Sequence, residues 1–418
     1  MMPVAGHGHH RPSVAVIADD LAGAADTAAQ FASPDRPALV LLEPTLAQAP
    51  REAATATATC LAIDADCRHC SAEECDQRIK QAVAAVVARE PRHWFLKLDS
   101  TLRGNVGAAL KAAIRAVGAE AAILAPAFPE RERTVRDGVL LVGGVPVGET
   151  EIATDDVAPV TASGISAIIR RQWRCSSFNL RPADFLDAPT LSMAMIGALG
   201  GPGRGARVLI LDAASAEDMR LIVAAAEMTR RRILLAGSAG LARGLAELHR
   251  LRPRRGQPTP RRSEDQPRPV LAVIGSRTAR ASAQVEALRA AGIECLASDD
   301  DGILDRAAAA LSRDRAAAVI PAGAASLDLL ARIAAELHER VGRTAAIVLS
   351  GGATARRFCE LSGVGHFTIE GELQPGVAVG RISFNAAERP LVIKGGAAGG
   401  ASAIVQAIAW LSPHYSYR

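Results

Sequence analysis

Short apolar runs punctuate the first part of the chain: Val14–Ile17, Ala38–Leu42, Cys60–Ile63, Trp94–Leu98, Ala121–Ala125, Val208–Leu211 and Ile233–Ala236. Between them lie stretches of helical period such as Glu73–Ala88 and Val106–Val117. Short runs without polar alternation suit strands buried on both faces, so their alternation with helices predicts a mostly parallel sheet covered by helices. The pattern stops at Leu251–Pro269, a stretch rich in Pro and Arg with no apolar period, which reads as a linker. A second series then begins, with strands at Val270–Ile274 and near Ala317–Ile320, Ala345–Leu349 and Leu391–Ile393, and a helix over Ser282–Ala291. The expected fold class is α/β, with two domains that are each a mostly parallel sheet flanked by helices. Their expected bounds are 13–250 and 270–418, joined by the linker 251–269 and preceded by a disordered tail over 1–12.

Composition narrows the picture. A chain of 418 residues exceeds one ordinary core and suits about two or three domains. Aromatics make up only 3% while Ala and Gly abound, which favours thin helices packed on parallel sheets over a β-sandwich. The formal charge of +4 is small and the basic residues are scattered outside the linker, so no electrostatic case for nucleic acid arises. No apolar run reaches the roughly 18 residues of a membrane span, and the His-rich start lacks the apolar core of a signal peptide; a cytoplasmic location is expected. Seven cysteines without an export signal read as reduced thiols. Cys60, Cys67, Cys70 and Cys75 with His69 superficially resemble a zinc site, but Ser71-Ala72-Glu73-Glu74 also reads as a helix capping box that places Cys75 inside a helix.

Candidate chemistry sits where apolar strands end. Val14–Ile17 runs into Ala18-Asp19-Asp20-Leu21-Ala22-Gly23, and an open α/β sheet binds ligand at such strand ends. Asp19 and Asp20 suit cation coordination, hydrogen bonding to substrate hydroxyls, or proton transfer from a hydroxyl attacking a phosphoryl group. A helix N-cap is the alternative for Asp19. Asp26, a turn and a half into the helix, reads as a surface residue. A second loop, Lys97 to Asn105, packs Lys97, Asp99, Ser100, Thr101 and Arg103 after another strand. Lys97 and Arg103 would neutralise an anion, Asp99 would accept from hydroxyls, and Ser100 and Thr101 would donate to a carboxylate; Arg68 reaches the same rim. Lysine is rare here, confined to Lys80, Lys97, Lys111 and Lys394, which makes each retained ammonium informative. In the second series three strands end in small-residue turns: Gly275–Thr278, Ser350–Ala355 and Lys394–Gly400. Such turns let backbone N–H groups approach phosphates, although none is a Walker loop or a dinucleotide fingerprint.

Together these segments resemble the two-domain four-carbon acid sugar kinases, which phosphorylate threonate, erythronate or their 3-oxo relatives with ATP. Ala18 to Ala24 resembles that family's ADDLTGA, with Ala22 in place of its usual threonine, and Lys97 to Asn105 is similar to its KxDSTLRGN. Pro126–Pro129, Arg133–Val135 and the stretch from Gly144 to Glu151 are similar to its PAFP, GR and NGVPxxET segments, and Gly237–Ala242 to the turn closing its N-terminal domain. The resemblance implies an acid-sugar domain and an ATP domain with the active site in the interdomain cleft. It implies substrate contacts from Asp20, Arg68, Lys97, Asp99 and Ser100, with Asp19, Thr101 and Arg103 on the same rim, and Asp20 and Asp99 as the catalytic pair. On the nucleotide side it implies Ser276, Gly351, Gly352, Thr354, Lys394, Gly395 and Gly396, with ATP and Mg²⁺ as cofactors and no metal ligand assigned. Expected partners are a four-carbon sugar acid and ATP, neither nucleic acid nor membrane, with a homo-oligomer allowed. The chain departs from the family at Ala353, where an acid is usual, at Glu132, and in the Gly396–Gly400 loop. Those departures motivate the alternative of a catalytically silent acid-sugar-binding protein with a degenerate nucleotide site.

Overall fold

The computed structural model describes residues 13–42, 58–201, 207–251, 269–313, 316–323, 327–340, 345–384 and 387–412. The expected tail 1–12 lies outside these residues, as does the expected linker apart from Leu251 and Pro269. In chain order the strands are β1 (Val14–Ala18), β2 (Ala38–Leu42), β3 (Cys60–Asp64), β4 (His93–Lys97), β5 (Ala121–Ala125), β6 (Arg133–Arg136), β7 (Val139–Val142), β8 (Val145–Pro146), β9 (Ser177–Leu180), β10 (Val208–Leu211), β11 (Ile233–Gly237), β12 (Val270–Ile274), β13 (Glu294–Ala297), β14 (Ala316–Ile320), β15 (Ala346–Ser350), β16 (His366–Gln374), β17 (Val377–Phe384) and β18 (Ala387–Lys394).

Both expected parallel sets are present. One has the order β2-β3-β1-β4-β11-β5-β10-β9 and the other β13-β14-β12-β15-β18. They are not separate sheets. β16 pairs antiparallel with β2 (Phe367 opposite Val40) and with β17, and β17 pairs antiparallel with β18, so fifteen strands form one sheet. The β16 sequence alternates buried and half-exposed positions through Phe367, Ile369 and Gly371. That period of two marks an antiparallel strand, and a reading built on continuous apolar runs passes over it. Because the two parallel sets run in opposite senses, their C-terminal ends face one another only if the sheet rotates between them. Both sets do line one cleft, so the sheet turns between them, as the ordinary twist of strands allows.

The helix Leu21–Ala29 explains the Ala- and Gly-rich composition. Every one of its residues is buried, because it packs against β1, β2, β3, β16 and β17 of the sheet and against the helices Ala239–Leu248 and Gly352–Leu361. Only short side chains fit between two such layers, and one apolar cluster runs through from Ile17 and Phe95 to Phe358 and Phe367. A second cluster around Val270, Val348 and Ile404 covers the far face of the β12 region. The capping box at Ser71 and Glu74 is formed, and Cys75 is buried in the helix Ala72–Val87 as expected. Among the described residues, no helix is long and apolar enough to cross a membrane.

Candidate active site

The C-terminal ends of β1, β3, β4 and β11 meet those of β12, β15 and β18 around a cleft of about 500 Å³. From the first half it is lined by Asp19, Asp20, Arg68, Lys97, Asp99, Ser100, Thr101 and Arg103. From the second half Ser276, Gly351, Gly352, Thr354, Gly395 and Gly396 line it. β12, β15 and β18 are adjacent, which places the three glycine turns side by side at one edge.

Asp19 and Asp20 have different tasks. Asp20, not Asp19, is the helix N-cap, its Oδ1 accepting from the Gly23 N–H at 2.8 Å. The Arg68 guanidinium donates to both Asp19 oxygens at 2.9 and 2.8 Å and to Asp20 Oδ2 at 2.7 Å. Asp19 Oδ2 also accepts from the Asp99 N–H, so Asp19 ties the β1, β3 and β4 loops together. Burial works to raise the Asp20 carboxyl, but Arg68 and Lys97 beside it prevail and hold it below the usual carboxylate range.

Asp99 is committed to its own loop. It takes Arg103 Nε at 2.7 Å and Nη2 at 3.1 Å, together with the Thr101 hydroxyl, and Arg103 reaches on to Asp155 at 3.2 Å. Burial is overcome by Arg103 and Arg68, which hold Asp99 well below the ordinary range. Arg68 and Arg103, expected among the substrate contacts, line the cleft and each already faces carboxylates. Lys97 differs, since its ammonium has neither ion pair nor hydrogen bond among the described residues. It stands against Gly23, where an added Cβ would come within 2.8 Å of Lys97 Nζ and 2.6 Å of Asp20 Oδ1. A glycine at that position lets cation and carboxylate sit side by side.

On the opposite wall the helix Gly352–Leu361 begins without a side-chain cap and without an acid in its first turn. Its leading N–H groups and positive dipole end thus remain available to an anion. Lys394 departs from expectation. It is buried beneath the turns, donating to Ser350 Oγ at 2.9 Å and the Gly396 carbonyl at 3.1 Å, and it holds the loop rather than facing the cleft. Burial, aided by the Arg131 charge, pushes its ammonium down to about 7. An unfolded lysine titrates near pH ~10.4. Between those two values the unfolded chain holds the extra proton, so this group makes stability rise with pH above 7. Lys394→Met should melt highest relative to the parent below pH 7, with the difference narrowing toward pH 9. Melting curves whose separation is constant from pH 6 to 9 would contradict this.

Asp26 is also corrected, because it is buried instead of superficial. It lines the cleft, its Oδ1 has no hydrogen-bond partner, and burial pushes its carboxyl up to about 6 against the pull of Arg131. Sequence reasoning also passed over Arg131, Asp155 and Arg277, which reach the cleft from loops. Asp155 could have been found only through its distance in space from Arg103, not through any local pattern.

A two-part α/β protein results, with a buried cation and carboxylate on one wall and glycine turns suited to phosphate on the other. Residues 14–245 match the sugar-binding N-terminal domain model and residues 297–404 the nucleotide-binding C-terminal domain model, and the chain belongs to the four-carbon acid sugar kinase family. It is 28% identical to a D-threonate kinase of Salmonella typhimurium over 96% of this chain and 98% of that protein. A D-threonate kinase of Cupriavidus necator is 30% identical over 87% and 88% of the two chains, and a D-erythronate kinase of Heliobacterium modesticaldum 26% over 96% and 97%. The fold is shared with a crystal structure from Salmonella typhimurium LT2, with a TM-score of 0.75 at 21% identity over 94% of this chain and 98% of that one. It is shared too with the Haemophilus influenzae protein HI1011, with a TM-score of 0.71 at 18% identity over 96% of this chain and 100% of that one.

Proposed function

We propose that the chain transfers the γ-phosphoryl group of ATP to the terminal hydroxyl of a four-carbon sugar acid. The observation that carries this reading is the approach of the two walls: a Cβ added at Gly352 would lie 2.4 Å from Asp20 Oδ2. A phosphate cradled by the Gly351 and Gly352 turn would thus lie beside the carboxylate of the opposite half. The substrate carboxylate pairs with Lys97 and Ser100 donates to its oxygens, while the one proton of the Thr101 hydroxyl is committed to Asp99. The terminal hydroxyl lies against Asp20, which orients it and accepts its proton. Asp99 is the less suitable base, since Arg103 and Thr101 occupy its oxygens; it sets the loop geometry.

The nucleotide fits the turns of Ser276, Gly351, Gly352, Gly395 and Gly396 and the uncapped helix start. Ala353 keeps negative charge away from the incoming phosphates. Mg²⁺ retains several waters and binds largely through phosphate oxygens. It would arrive with ATP, held chiefly by the phosphate oxygens, and offset their charge. Exclusion of water from the cleft would limit loss of ATP to hydrolysis.

A coupled assay of ADP release with Mg-ATP against D- and L-threonate, D- and L-erythronate and the 3-oxo acids tests the reading. Turnover on one acid is expected. Silence across the panel, with the acids still raising the melting temperature, would overturn it in favour of a binding protein. On the acid that turns over, Lys97→Met should raise KM by about 10- to 100-fold with a smaller change in kcat, as loss of one charge-assisted contact implies. An unchanged KM would remove Lys97 from the substrate site.

A further inference from the structure

Three side chains that the cleft does not use meet at the other end of the sheet. His93 opens β4, whose far end carries Lys97, Glu227 lies in the last turn of the helix Ala216–Met228, and His249 caps the end of the helix Ala239–Leu248. Glu227 Oε1 stands 3.3 Å from His93 Nδ1 and 3.2 Å from His249 Nε2, and the imidazole centroids are 4.7 Å apart. One ligand atom from each of the three falls within 4.8 Å of the others.

Hydrogen bonding does not account for this cluster. His249 Nε2, the nitrogen that faces Glu227, is buried and makes no hydrogen bond, so its approach to the carboxylate is not a hydrogen-bonded one. Donors held tetrahedrally at about 2.0–2.1 Å from one Zn²⁺ stand about 3.3 Å apart, which is the spacing of both contacts to Glu227. Two helices also end here, and their C-terminal carbonyl ends favour a cation. We propose that His93, Glu227 and His249 form a site for a transition-metal ion of the Zn²⁺ class, separate from the kinase cleft. Two imidazoles and one carboxylate suit Zn²⁺ and disfavour Mg²⁺, which prefers an all-oxygen shell. Water would complete the tetrahedron, as the three side chains are 14%, 29% and 17% exposed. The ion clamps the start of β4 to the ends of two helices, a stabilising role at a distance from the reacting groups.

The test uses the full chain with His7→Ala, His9→Ala and His10→Ala, so that the His-rich tail cannot supply the ligands. After chelation and dialysis, calorimetric titration should show one Zn²⁺ per chain and a higher melting temperature on binding. Co²⁺ should give the intense visible bands of a tetrahedral site, and excess Mg²⁺ should not compete. Glu227→Gln and His249→Gln, at partly exposed positions that tolerate the change, should each weaken Zn²⁺ binding by more than about 100-fold, beyond the usual effect of altering a ligand's supporting partner. Zn²⁺ affinity unchanged in both variants would overturn the site. Loss of all saturable binding once the tail histidines are removed would overturn it equally.

Discussion

Replacing Asp20 with Asn is expected to lower kcat for phosphoryl transfer by about 10²- to 10⁴-fold, the range of a lost general base, with KM for ATP little changed. Asn caps helices as well as Asp does, so the Gly23 hydrogen bond and the helix Leu21–Ala29 should survive. Arg68 retains its two bonds to Asp19, so its guanidinium stays paired. The pH profile adds a separate check. Since Asp20 is held below the ordinary carboxylate range, its protonation should not limit turnover until the pH falls below about 4. Asp99→Asn is the informative contrast: it weakens a largely buried pair with Arg103, one-quarter exposed, and should cost about 1–3 kcal/mol of stability and raise KM for the acid. Stopped-flow or coupled kinetics on both variants, beside their melting curves, separates the roles. Near-normal turnover in Asp20→Asn would refute Asp20 as the proton acceptor.

The contrast between the two aspartates shows which parts of the site the sequence exposes. Both loops were legible because charged and hydroxyl residues crowd the end of an apolar strand, a local pattern with few structural explanations. Their internal pairings were not legible. Asp99 binds Arg103 within its own loop, whereas Arg68 crosses from the β3 loop to Asp19 and Asp20, and only distances in the folded chain distinguish a ligand-facing cation from a satisfied one. Asp26 illustrates the same limit. Helical spacing places it on a defined face, but what meets it there is Arg131, Arg243 and Glu372, about one hundred to several hundred residues later. The joining of the sheets was hidden for a related reason. β2 and β16 pair across the whole chain, and edge pairing depends on which strands are left without a neighbour rather than on any motif.

The continuous sheet brings the two walls together at Gly352, which makes that glycine a decisive position. Gly352→Ala is expected to reduce kcat/KM for phosphoryl transfer by about 100-fold, because the added methyl would lie 2.4 Å from Asp20 Oδ2 and 3.2 Å from its Cγ. Neither partner can retreat cheaply. Asp20 is anchored by the Gly23 N–H and by Arg68, and Gly352 starts a helix that packs on Leu21–Ala29. The same clash costs stability, offset only in part by the preference of helices for Ala over Gly, so the melting temperature should fall as well and the kinetics are to be read well below it. Gly396→Ala is the matched control: its methyl would meet Ser276 Oγ at 2.2 Å, a side chain of the same half. It should weaken ATP binding and leave the acid sugar's KM unaltered, whereas Gly352→Ala should impair both substrates together. Equal effects of the two substitutions on ATP alone would mean that the two walls do not meet at Asp20 during turnover.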